Sequence, residues 1–137
     1  MKNPIRIQSV ILLCALIAQY ILGMYANLFV AFPDGAQGGS AWQFAWTQAV
    51  VAAHIVLGIL LVIGAIVFLI RVLVAKRTAW RTPAILGLIG ILAAAWSGSA
   101  FIPSQSNPLS YIMSLSFLLA FFAYAWGIFT TRSNNAA

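Results

Sequence analysis

His54 is the only histidine in the chain, and it stands inside a long run of residues without a charged side chain. Imidazole titrates in the range around neutrality, and an ionisable group within an apolar helix is by default a candidate for function. Helical spacing puts Thr47, His54, Gly58, Leu61 and Ala65 on one face. A glycine one turn from the ring leaves room for a flat ligand or for a close neighbouring helix. Other polar groups stand in the remaining stretches: Gln19, Gly23 and Asn27 at helical spacing in one, Ser97 and Ser99 near the end of another, and Ser110, Met113 and Ser114 near the start of a last. Counted from the ends of their stretches, Asn27, His54, Ser97 and Met113 lie at similar shallow depth. The spacing therefore predicts a polar layer in one half of the molecule and none in the other. Such a layer either hydrogen-bonds to itself and sets helix register, or forms a small site open to that side.

Several chemistries lack their residues. Asp34 is the only acidic side chain and Cys14 the only cysteine. An intrachain disulfide is impossible, and Cys14 reads as a small packing residue. There is no carboxylate pair for acid–base catalysis and no phosphate loop. A Ser-His-Asp arrangement would require Asp34 to leave its loop and reach His54. His54, Cys14 and Asp34 do not converge as zinc ligands. Antiporters that rely on a carboxylate inside the membrane, thiol oxidoreductases that need cysteine pairs and aspartyl peptidases that need two aspartates are disfavoured on the same grounds. No complete catalytic constellation remains.

The elements that position these residues are spans. The chain of 137 residues is 64% hydrophobic and 6% charged, against about 25% charged in soluble domains, so lipid is the expected solvent. A helix needs about 20 apolar residues to cross the hydrocarbon core. Four stretches qualify, with expected spans 5–32, 41–75, 83–102 and 108–130, in a single transmembrane domain covering 1–137. Pro33-Asp34-Gly35 ends the first. Ser40 and Gln43 resemble a capping box opening a long second helix. Thr82-Pro83 and Asn107-Pro108 read as cap-then-proline starts of the third and fourth. Lys2, Arg6, Arg71, Lys76, Arg77, Arg81 and Arg132 all fall on one side and Asp34 on the other. By the positive-inside rule both termini are cytoplasmic, so the net charge of +6 anchors spans rather than binding nucleic acid. Lys2 and Arg6 resemble a signal n-region, but the apolar run that follows is too long and lacks a clean cleavage site, so the first span is expected to be retained. Gly87, Gly90, Ala94 and Gly98 form one small-residue stripe, and Ser116, Ala120, Ala123 and Gly127 another. Short connectors then favour an all-α, up-down four-helix transmembrane bundle.

The segment His54-Ile55-Val56-Leu57-Gly58-Ile59-Leu60-Leu61 resembles the histidine-bearing helices of small four-helix b-haem proteins, of the cytochrome b561 and haem A synthase types. The resemblance covers one helix, about a fifth of the chain. It implies haem b held near His54 and Gly58, and those families use paired histidines. Here the second axial ligand would be Met113, a water, or His54 of another copy. The whole pattern also resembles small four-span bacterial membrane proteins. The expected function is a non-enzymatic accessory, assembly or scaffold component of the bacterial inner membrane, with the bilayer and a membrane-protein partner or a second copy as its contacts. The alternatives are a redox module binding haem b or a quinone at His54, and a channel or carrier gated by His54.

Overall fold

Apolar and small residues that recur every three or four positions become buried stripes. The computed structural model describes residues 4–133. Helix α1 (Pro4–Phe29) buries Ile5, Ser9, Leu12 and Leu16. Helix α2 (Gly38–Thr47) is short and buries Ala41 and Ala45. Helix α3 (Ala49–Val74) buries Leu61, Ala65, Phe68 and Val72 along one face. Helix α4 (Thr78–Ser104) buries Trp80, Ala84, Gly87, Gly90, Ile91 and Ser97. Helix α5 (Asn107–Ser133) buries Ser116, Ala120, Ala123 and Tyr124. Lys2 and the polar tail after Ser133 lie outside the described residues, as does the side chain of Arg132.

Helices α1, α3, α4 and α5 (the last over Asn107–Thr130) are long and apolar enough to cross a membrane. Their outward faces are apolar as well: Ile11, Ile21, Leu60, Ile89 and Phe122 are exposed. A helix apolar all round belongs in hydrocarbon or in a large core, and these apolar faces are exposed among the described residues. Helix α1 packs on α3 and α5, and α4 packs on the same two. Cross-helix contacts give the direction of each pair. Gln8 meets Arg71 while Gln19 meets His54; Phe68 meets Trp80 across the α3–α4 connector; Gly98 meets Met113 while Gly127 meets Trp80; Ser9 meets Tyr124 while Tyr20 stacks on Phe117. Every neighbouring pair is antiparallel, so the four long helices form an up-down bundle.

Several element boundaries depart from expectation. The second stretch is not one helix over 41–75: Gln48 is extended (φ −89, ψ 107) and separates α2 from α3. The Thr47 hydroxyl caps the Phe44 carbonyl, and the Gln48 N–H turns back to Ala45. Helix α2 lies instead against the ends of α3 and α4, where Ala41, Ala45, Val51 and Ile102 form a second small core. Its start also moves, since the Gln37 N–H donates to Ser40 Oγ at 3.2 Å and Gln37 is the cap; Gln43 takes no part in that box. The third long helix begins at Thr78 rather than Pro83, because Trp80 is buried against Phe68 and holds the first turn in place. The connector before it is correspondingly tight. Lys76 adopts a left-handed conformation (φ 51), with Lys76 N–H to Leu73 O and Arg77 N–H to Val72 O, the two bonds of a Schellman ending. In α5 the first carbonyl acceptor is Ser106, one residue before the expected Asn107 cap. Helix α1 ends at Phe29, short of the expected Phe32, and Pro33-Asp34-Gly35 forms a separate turn in which Ala36 N–H bonds to Pro33 O with Gly35 at φ +77.

Candidate functional site

The imidazole of His54 is held by one residue of α1, twice. His54 Nδ1 lies 3.2 Å from the Gln19 backbone oxygen. That oxygen can only accept, so Nδ1 carries the proton. His54 Nε2, the acceptor of that tautomer, lies 3.2 Å from Gln19 Nε2, which donates. Glycines make the approach possible. A Cβ on Gly23 would sit 2.9 Å from His54 Cε1, and one on Gly58 would sit 3.2 Å from Gln19 Nε2. Gly58 thus leaves room for the glutamine of the facing helix rather than for a flat ligand. The other end of the amide, Gln19 Oε1, is buried without a hydrogen-bond partner among the described residues.

Both halves of this pair lie in apolar surroundings, so removing one strands the other. Cross-helix hydrogen bonds in membranes average about 0.6 kcal/mol and reach about 1.7. A double-mutant cycle of Gln19→Ala and His54→Ala, read by reversible unfolding in mixed micelles, is expected to return a coupling of about 0.6 kcal/mol from the side-chain bond alone, because the Gln19 carbonyl that meets Nδ1 is backbone and stays in the alanine variant. Coupling below about 0.3 kcal/mol would mean the side-chain bond does not tie the helices.

The remaining members of the expected polar layer serve their own helices. Ser97 is buried and bonds to the Ala93 and Ala94 carbonyls. Ser99 bonds to Trp96 O, and Ser114 bonds to Ser110 O, on exposed faces. Asn27 is exposed near the end of α1. Met113 places its sulfur against Gly98, where an added Cβ would be 3.1 Å away. His54 is thus on the α1–α3 seam and Met113 on the α4–α5 seam, opposite edges of the bundle. Cys14 is exposed on α1 rather than packed inside.

The half of the bundle expected to be without polar contacts has several. Gln8 Oε1 accepts from Arg71 Nη1 at 3.0 Å, and Gln8 Nε2 reaches Gly64 O at 3.5 Å. Fully buried Ser9 donates to the Tyr124 carbonyl at 3.3 Å. A signal for Gln8 was present: it precedes Gln19 by eleven residues, three helical turns, and so shares its face. Nearby, Phe68 meets Trp80 and Tyr124 edge-on, with ring centroids 5.9 and 5.5 Å apart. Gly87 lies under the Tyr124 ring, and a Cβ on Gly127 would come within 2.6 Å of Trp80. The small-residue stripes of α4 and α5 therefore do face one another, and at Gly90 an added Cβ would meet the backbone of the facing helix.

Haem fits this arrangement poorly. Both ring nitrogens of His54 are engaged by Gln19, and Met113 faces a different seam. Among the described residues no three His, Cys, Asp or Glu side chains gather as a metal site. No protein family model, curated protein or solved structure matches the chain.

Proposed function

We propose that this chain is a structural membrane component: a non-enzymatic accessory, assembly or scaffold protein of the bacterial inner membrane that works through helix contacts with a membrane-protein partner or a second copy. In this reading it crosses the bilayer four times, with both termini cytoplasmic. The placement of all seven basic residues at one set of span ends and the single acid in the opposite loops supports that orientation. The observation that carries the role is the use of His54. The one imidazole in the chain spends both nitrogens on joining α1 to α3, which is the work of a register-setting contact and leaves no nitrogen for a ligand or substrate.

Affinity purification of the tagged chain from native membranes in mild detergent tests this. Co-purification of a membrane protein at fixed stoichiometry, or a defined homo-oligomer, is the expected result. A monomer carrying a stoichiometric cofactor would overturn it. The absorption spectrum after haem supplementation gives an independent answer: a Soret band abolished by His54→Ala would replace this reading with a haem-binding one.

A further inference from the structure

At the basic end of the bundle, the first turn of α1 and the last turn of α3 border a cleft of about 350 Å³, lined by Pro4, Ile5, Ile70, Arg71, Val74 and Arg77. We propose that this cleft binds one anionic phospholipid, its phosphate between Arg71 and Arg77 and an acyl chain along Ile70 and Val74. The proposal rests on the membrane-spanning reading and is independent of the accessory role.

Charge is the first argument. Arg6, Arg71, Lys76, Arg77 and Arg81 crowd this end, while Asp34, the only acidic side chain in the protein, lies in the turn at the other end. Cations at a membrane boundary with no acidic side chain nearby call for an anion, and basic pockets between spans are recurrent headgroup sites. Position is the second. Arg71 is oriented by its bond to Gln8, which takes one of its five donors, and Gln8 is itself held by Gly64 O. Arg77 is fixed at its backbone by the Schellman bond to Val72. A guanidinium presents a planar fork matched to phosphate oxygens. The apolar wall is the third: Ile70 and Val74 are 54% and 78% exposed beside the arginines, and exposed Val67 and Ile63 continue their face from Ile70 toward the middle of the span. A soluble anion would have no use for that wall, so a lipid is favoured over free phosphate.

The full chain, purified in nonionic detergent, would be titrated with dihexanoyl phosphatidylglycerol, dihexanoyl phosphatidylcholine and inorganic phosphate. Bound lipid is counted by native mass spectrometry and the unfolding midpoint followed in parallel. The expected result is one retained phosphatidylglycerol and a raised midpoint, with neither effect from the other two. Arg77→Gln, which breaks no side-chain hydrogen bond seen here, should weaken binding about fivefold, the equivalent of about 1 kcal/mol per arginine at a headgroup. Arg71→Gln with Arg77→Gln should abolish retention. Arg6→Gln with Arg81→Gln removes the same charge from the same end and should leave the lipid bound. Equal effects of phosphatidylcholine or phosphate, or equal loss in the Arg6/Arg81 variant, would overturn the proposal. Failure of the membrane reading itself would show separately, as release of the protein from membranes by alkaline carbonate.

Discussion

Gly90→Leu is expected to drive α4 from α5 and lower the unfolding free energy by about 3 kcal/mol, the upper part of the range for overpacking a tight core. A Cβ at this position would lie 2.7 Å from the Ala120 nitrogen and 2.7 Å from the Ser116 carbonyl oxygen. Both are helix backbone, which cannot swing aside as a side chain can, so the whole helix must retreat. Retreat loosens the seam above and below, including the Tyr124 ring over Gly87 and the Met113 contact at Gly98. In a membrane the loss is not recovered by exposure to an apolar solvent, since close packing is itself what holds helices together there. Gly39→Ala is the comparison, because nothing lies within 4 Å of the Cβ it adds. It should be neutral or stabilising by about 0.5–1 kcal/mol, the helix propensity gained. Detergent-titration unfolding of both variants checks the pair, and equal stability would show that the α4–α5 seam is not close-packed.

Trp80→Ala should cost about 3 kcal/mol, the low end for removing a buried aromatic. The low end applies because tryptophan transferred to lipid or detergent loses little hydrophobic free energy, leaving mainly the cavity and the lost contacts. Trp80 is 2% exposed, meets Phe68 edge-on and fills the space left by Gly127. It also anchors the first turn of α4, five residues earlier than the Thr82-Pro83 pair would start it. The variant is therefore expected to show fraying of the 78–82 segment by amide hydrogen exchange as well as lower stability. Unchanged protection there would mean that the turn forms without its anchor.

These two residues also show what could be read without coordinates. Gly90 belonged to a recognisable stripe of small residues, and a stripe has only one use between apolar helices. The spans were equally plain, because 20 or so apolar residues in succession have few other fates. Trp80 was hidden. It sits among Lys76, Arg77 and Arg81, and composition assigns such a segment to a loop, whereas the T-shaped contact with Phe68 is a tertiary fact. The break at Gln48 was hidden for a related reason: neither glycine nor proline marks it, and it exists because α2 finds an apolar seat on Ile102 and Val51. At the candidate site, His54 and the face bearing Gln19 and Gly23 were both visible. Which helix faces which was not, since spacing orders residues around one axis and is silent about the neighbour. Equal depth therefore suggested a layer of His54, Ser97 and Met113, while the contacts divide them between seams and give His54 a partner four turns along α1 from the first turn.

The bonding of Gln19 has a further consequence. Its amide offers hydrogens to the ring through Nε2 while Oε1, at the other end of the same small plane, has none to receive. A half-turn about the terminal bond exchanges the two. Were His54 to take up a second proton, the rotated amide would meet it with an acceptor, and Nδ1 would keep its bond to the Gln19 carbonyl. The contact between α1 and α3 can thus survive either charge state by the rotation of one carboxamide, without displacing a helix.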